Sequence, residues 1–366
     1  ERNMQTADTP LLIAERPAAN GCVLGVLTLN VESSLNSLTL EIIRAMIKAL
    51  GNWRSRDDLV AVVLNGRGPK AFCAGGDIQA LYRSCVANQQ ARSQVDDYAR
   101  CFFSEEYQLD LLMHQYPKPI VTLGHGVVMG GGFGLFSASR FRVLTERSRL
   151  AFPEITIGLF PDAGGRWVLK NMPLTVAAFL GLTGSQLNAR DALNLGIGSH
   201  VVDHGTRDDL VPQLAELKWN ARSNEANVEL LESFLATVQT SVEDLESELE
   251  AVPEWTVQLG DLASTTAALF ALQGQSNWID RGLENLRKGC PTTAAIVLEQ
   301  LHRVQNMTLA ESFSMELEIA TRCAQLPDFP EGVRALLIDK DGQPNWRYKD
   351  FSQVPRAHVL SHFGSG

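Results

Sequence analysis

The run PEITIGLFPDAGG, residues 153–165, places two carboxylates, Glu154 and Asp162, in an otherwise apolar and turn-rich stretch. A carboxylate in apolar surroundings costs free energy unless a partner or a reaction uses it. Their spacing of eight would put both on one face of a continuous helix, but Pro153, Gly158, Pro161, Gly164 and Gly165 interrupt any such helix. The acids therefore belong on loops. They serve there either as ordinary solvated residues or as a convergent pair for general acid–base or nucleophilic chemistry. Asp162 has a further role open to it, capping a helix that starts in DAGGRWVL.

Two glycine-rich stretches could serve the same chemistry. KAFCAGGDI (70–78) follows an apolar strand pattern with a glycine pair and then a helix. HGVVMGGGFGLFSAS (125–139) sets three consecutive glycines between a buried strand and an apolar helix. Glycine is a poor helix former, so this run needs a reason: close packing, or a ligand atom approaching the backbone amides. Helix N-termini and concave runs of amides favour developing negative charge, so two such turns could form an oxyanion hole. His125, at a strand end, reads as structural, and Cys73 as a small buried apolar residue rather than a nucleophile. Glu106 sits beside Glu105 in a helical pattern and could equally belong to a solvated face.

The elements that must hold these residues alternate. CVLGVLTLNV (22–31), LVAVVLNG (59–66), PIVTLGHG (119–126) and RFRVLTERSRLAF (140–152) read as strands. Near-continuous apolar runs such as VAVVL suit strands covered on both faces. Helical spacing runs through LTLEIIRAMIKALGNWRSR (38–56) and VDDYARCFFSEEYQLDLLMHQY (95–116). Strand–helix–strand alternation predicts an α/β fold with crossover connections. Beyond about residue 205 only helical patterns follow, which predicts a division into 1–205 and a helical region 206–366. In that region EDLESELE (243–250) reads as a solvated helix face.

Composition narrows the classes. The chain has 366 residues, 45% of them hydrophobic, ample for a large core. A net charge of -10 disfavours nucleic acid and membrane surfaces as partners, so an anionic substrate needs a local amide or basic site. Six scattered cysteines without a CxxC pair suggest neither a zinc site nor a disulfide framework, and fit a reducing compartment. No apolar run reaches the ~20 residues of a membrane span. The opening ERNMQTADTPLLIAERPAANG has no signal- or transit-peptide pattern, which favours a bacterial cytoplasm over a mitochondrial matrix.

Taken together and in this order, KAFCAGGDI, HGVVMGGGFG and PEITIGLFPDAGG resemble the crotonase (enoyl-CoA hydratase/isomerase) superfamily over roughly residues 20–205. The resemblance implies a ββα spiral carrying an acyl-CoA thioester site, with no cofactor beyond the CoA of the substrate and no metal. It implies an oxyanion hole from the amides of Gly76 and Gly131. The CoA arm would lie along Ala74, Gly75 and Asp77, with Gly130 also at the substrate and Lys70, Arg83 and Lys340 as candidate phosphate partners. Where hydratases of the family carry a first catalytic acid after the glycine run, this chain has Gly134; the second matches Glu154. Asp162 stands where hydratases usually have glycine. SLNSLTLEIIR, FFSEEYQL, DFPEGVRALLIDKD and the helical extension are similar to the 3-hydroxyisobutyryl-CoA hydrolase subfamily across nearly the whole chain. That implies a thioesterase of valine breakdown, acting on 3-hydroxyisobutyryl-CoA and also on 3-hydroxypropionyl-CoA. Glu154 would attack the thioester or activate water, Asp162 would hold the water or the substrate hydroxyl, and Glu106 would contact substrate. Three converging acids should push at least one pKa towards neutrality. Crotonases often trimerise, so a homo-oligomer is allowed, with the helical extension covering or replacing that surface. The rivals are a hydratase or isomerase using Glu154 alone, and a non-catalytic scaffold.

Overall fold

The computed structural model describes residues 9–364; the first eight residues of the opening stretch lie outside the described residues. The β-branched runs form nine strands among those described: β1 (Leu11–Pro17), β2 (Val23–Leu29), β3 (Leu59–Gly66), β4 (Ala71–Cys73), β5 (Ile120–Gly124), β6 (Val127–Met129), β7 (Phe141–Thr145), β8 (Arg149–Ala151) and β9 (His200–Val202). Six make one sheet in the order β1-β2-β3-β5-β7-β9, and β4-β6-β8 make a second, smaller one. β1 runs antiparallel to β2, and the remaining neighbours of the large sheet are parallel. The fold is α/β, with a mostly parallel sheet and strand pairs followed by helices.

One expected strand, RFRVLTERSRLAF, is broken in two, and PIVTLGHG holds only β5, with β6 an unexpected strand just beyond it. PIVTLGHG turns at Gly126 (φ +58°), where an added Cβ would lie 2.1 Å from the Lys70 carbonyl oxygen. RFRVLTERSRLAF turns at Glu146–Arg147. Each turn passes the chain from the large sheet to the small one, so β3/β4, β5/β6 and β7/β8 repeat a single strand-pair pattern. This is the ββα repeat that the sequence reading expected. The short strands β4 and β9 carry too few residues to show a period of their own.

Contacts separate the chain into two compact units. One comprises residues up to Gly76, Gln108–Leu150 and Leu187–Glu246; the other comprises Asp77–Tyr107, Ala151–Gln186 and Ser247 onward. The units are interleaved in sequence, and neither coincides with 1–205 or 206–366.

In the first unit the helix Leu40–Trp53 starts where the Thr39 hydroxyl accepts from the Ile42 amide at 3.2 Å. It buries Ile42, Ile43, Met46, Leu50 and Trp53. Trp53 lies so close to Gly25 of β2 that an added Cβ would sit 2.6 Å from the indole, so only glycine fits there. The helix Asn224–Val238 adds Leu231 and Leu235 to a core with Val60, Val63, Val121 and Val143.

In the second unit the helix Pro291–Arg303 is buried along most of its length, with ten buried positions from Pro291 to Leu301. Gly181 of the helix Leu174–Thr183 permits the close approach: an added Cβ would lie 2.9 Å from Val297. The acidic stretch 243–250 is not helical. The helix ends at Val238, Glu243–Asp244 form a turn, and only the short 3-10 turn Leu249–Ala251 follows. Its charges are mostly exposed, as expected of a polar surface run.

Candidate active site

Glu154 sits in a single 3-10 turn, Pro153–Thr156, directly after β8. Proline at the first turn position sets φ without wasting an amide donor. The side chain is only 3% exposed, and among the described residues its Oε2 has no hydrogen-bond partner. Burial, and then the charge of Asp162, push its pKa well above the ordinary carboxyl value.

The C-terminal helices hold this turn in place. The Cys290 amide donates to the Ile155 carbonyl at 3.0 Å, and the Thr293 hydroxyl donates to the Leu159 carbonyl. Gly158 (φ +70°) and Gly332 allow the backbones to meet; an added Cβ on Gly332 would lie 2.3 Å from the Ile157 carbonyl oxygen.

Asp162 enters a turn in which Ala163 (φ 52°) and Gly164 (φ 84°) are both left-handed. It does not cap the following helix. That helix, Gly165–Leu169, has Gly164 at its N-cap and no side-chain cap bond. Instead Asp162 Oδ2 accepts a 2.6 Å hydrogen bond from the Tyr107 hydroxyl. Burial raises the Asp162 pKa to about 6, against the opposing effect of the Tyr107 bond. Tyr107 lies on the helix Tyr98–His114, next to Glu106. Glu106 is 2% exposed, so the solvated-face alternative does not hold. Burial, then the charges of Asp162, Glu316 and Glu106, raise the Tyr107 phenol well above its ordinary value.

A fourth buried acid completes the cluster. Glu316, on the helix Leu309–Gln325, is fully buried. Its Oε2 accepts from the Gly164 amide at 3.1 Å, and its Oε1 lies 3.2 Å from Arg166 Nη2. Arg166 also donates from Nη2 to the Ser312 hydroxyl at 2.9 Å and to the Ser312 carbonyl. Burial pushes Glu316 up to about 7, with Arg166 pulling the other way.

In the first unit, β4 and β6 lie parallel and side by side, and the two glycine turns follow their C-terminal ends. An added Cβ on Gly75 (φ +119°) would lie 3.5 Å from the Met129 carbonyl oxygen and 3.8 Å from the Gly131 nitrogen. The turns are therefore neighbours. Gly130 (φ 52°) caps the helix Gly131–Ser137, so Gly131 carries a first-turn amide with no acceptor inside the helix. Among the described residues neither the Gly76 nor the Gly131 amide donates to a protein acceptor. Gly132 must be glycine, because an added Cβ would meet the Cys73 carbonyl oxygen at 2.3 Å. Two free amides from adjacent turns are the arrangement an oxyanion would need.

The remaining candidates fall into place singly. The Asp77 carboxylate accepts from the Ala80 amide at 3.2 Å and so caps the helix Ile78–Ala91. Ala74 donates its amide to the Leu35 carbonyl at 3.0 Å. His125 is buried with Nε2 2.7 Å from the Gly68 carbonyl oxygen, and burial lowers its pKa to about 4, a structural role. Cys73 is buried, its thiol 3.7 Å from the Gly75 carbonyl oxygen. Lys70, Arg83 and Lys340 are exposed. Sequence reasoning missed Tyr107, Arg166 and Glu316. A signal for Glu316 existed: it interrupts the apolar stripe Phe313, Ile319, Ala320, Cys323 of its helix.

The enoyl-CoA hydratase/isomerase family profile matches residues 24–363. The chain belongs to this family. A 3-hydroxyisobutyryl-CoA hydrolase, mitochondrial, from Bos taurus is 37% identical over 353 residues, covering 94% of this chain and 87% of the relative. Among solved structures, a carnitinyl-CoA dehydratase from Mycobacterium thermoresistibile superposes with a TM-score of 0.79 at 28% identity, covering 97% of this chain and 96% of that one. An enoyl-CoA hydratase from Rhodobacter sphaeroides 2.4.1 gives 0.77 at 30% identity, covering 97% of both chains. The family match thus runs through the helical C-terminal region as well as the part that carries the three motifs.

Proposed function

We propose that the chain is a thioester hydrolase that converts 3-hydroxyisobutyryl-CoA, and 3-hydroxypropionyl-CoA alongside it, to the free hydroxy acid and CoA. The observation that carries this reading is the relative bearing that name, 37% identical across 94% of the chain. The buried acids agree with it. In this reading Glu154 is the reactive group. It either attacks the thioester carbonyl, expelling the CoA thiolate and leaving a mixed anhydride for water to cleave, or takes a proton from the attacking water. A carboxyl that titrates nearer neutrality than usual is a better base at working pH. Asp162, oriented by Tyr107, holds the water or the substrate hydroxyl, and Glu106 contacts the substrate. The Gly76 and Gly131 amides receive the oxyanion, each contributing about 3–4 kcal/mol. Ala74, Gly75, Asp77 and Gly130 are assigned to the CoA side of the substrate. The reaction draws on side chains and amides of the chain alone, CoA being part of the substrate.

The names of the two solved structures favour a second reading, addition or removal of water at an enoyl thioester. It would have to run on Glu154 alone, since Gly134 in the helix Gly131–Ser137 offers no acid. We further propose a reducing compartment, bacterial cytoplasm or mitochondrial matrix, because all six cysteines are unpaired. Among the described residues no helix is long and apolar enough to cross a membrane.

The test is a panel of 3-hydroxyisobutyryl-, 3-hydroxypropionyl-, acetyl- and crotonyl-CoA, with free CoA followed by a thiol reagent. Release from the 3-hydroxyacyl members alone supports the hydrolase. Loss of enoyl absorbance without thiol release supports hydration.

A further inference from the structure

Glu316 makes no use of its charge in the reaction as proposed, yet it is completely buried within the acid cluster. Burying a carboxylate costs several kcal/mol unless its environment answers it. Two groups do. The Gly164 amide donates to Oε2 at 3.1 Å, and Arg166 pairs with Oε1 at 3.2 Å. Arg166 is itself 1% exposed and anchored to Ser312, so neither partner can move far.

The Gly164 contact matters because of where it falls. Gly164 closes a turn with two consecutive left-handed residues, one of them Ala163, a conformation that costs about 1–3 kcal/mol for a residue with a side chain. That turn aims Asp162 at Tyr107. The Glu316 bond to the amide two residues on is a restraint that keeps it so.

Resting on the hydrolase reading, we propose that Glu316 is a positioning residue for the reaction: held by Arg166, it fixes the Asp162–Gly164 turn through the Gly164 amide and so keeps Asp162 aimed at Tyr107.

Glu316→Asp draws the carboxylate back from the Gly164 amide, whereas Glu316→Gln keeps an acceptor of the same reach. Both variants are measured by thiol release at limiting and saturating substrate. The expected result is a kcat at least tenfold lower for Glu316→Asp with KM little changed, and a kcat for Glu316→Gln that recovers most of that loss. A folded Glu316→Asp with wild-type kcat overturns the proposal, whatever its melting temperature, and it decides alone if the glutamine variant does not fold. Hydrogen exchange at the Gly164 amide, expected to be faster in Glu316→Asp than in wild type, decides the role of Glu316 even if wild type releases no thiol and the hydrolase reading fails; an unchanged exchange rate overturns it.

Discussion

The Tyr107 hydroxyl stands 2.6 Å from Asp162 Oδ2, with both groups buried and the Tyr107 ring wedged between Phe103 and Phe313. The phenol favours the ionised form of Asp162, which burial alone would oppose. Removing the hydroxyl as Tyr107→Phe loses a hydrogen bond to a charged group, about 1.5–3 kcal/mol. The expected outcome is a kcat/KM lower by roughly 10- to 100-fold. The Asp162 pKa should rise above about 6, moving the acid limb of the pH profile upward. Steady-state thiol release across pH checks both parts.

The wild-type pH profile follows from Glu154. As base or nucleophile it must be ionised, and its pKa lies well above the ordinary 4.5. Activity should therefore fall as pH drops, along a limb placed above the usual carboxylate range. A profile flat down to pH 4.5 would remove Glu154 from the reactive role. Isotope labelling separates its two modes: with enzyme in excess and labelled water, an anhydride cleaved at the Glu154 carbonyl leaves the label on the enzyme, whereas direct attack by water labels the acid product.

Stability should show the opposite sense. Asp162 binds its proton more tightly folded (about 6) than its ordinary 3.8. Its stabilising contribution is present at low pH and is lost as pH rises through about 6. Asp162→Asn escapes that loss. Relative to wild type, the variant should melt higher by roughly 3 °C or more at pH 8 and show a smaller advantage at pH 5, by calorimetry. An equal shift at both pH values would mean that burial of the charge is not what Asp162 costs the fold.

Much of this site could be read before the fold was seen. Glu154 and Asp162 announced themselves as charges in an apolar run broken by proline and glycine, and the glycine turns by their place after apolar strands. Their partners did not. Tyr107 is an unremarked aromatic on a helix, and nothing local ties it to a residue 55 positions away. Arg166 and Glu316 meet across 150 residues, and each alone reads as one more surface charge. The break at Glu146–Arg147 was hidden because β7/β8 form one continuous β-prone run, and β6 was missed because its three residues run straight into the glycines. Only pairing in two different sheets divides β7 from β8. The acidic run 243–250 failed as a helix because polar residues without an apolar face have nothing to pack.

Gly132 offers a test of the glycine turns. Gly132→Ala would set a methyl 2.3 Å from the Cys73 carbonyl oxygen, a backbone atom that cannot swing aside. The two turns must part, and the Gly131 amide moves with them. A stability loss of about 1–3 kcal/mol is expected from the overpacking. With an oxyanion donor displaced, kcat should fall about 100-fold with KM much less affected. Wild-type kcat in this variant would exclude the turn as the oxyanion site.

The most direct measurement is thiol release from 3-hydroxyisobutyryl-CoA by wild type and by Glu154→Gln under saturating substrate. The substitution keeps the size of the side chain and removes the charge that attacks or deprotonates. The account predicts rapid release by wild type and a rate at least about 10³-fold lower for the variant, since Asp162 holds the water or the substrate hydroxyl and does not attack in its place. Full release by Glu154→Gln would contradict it.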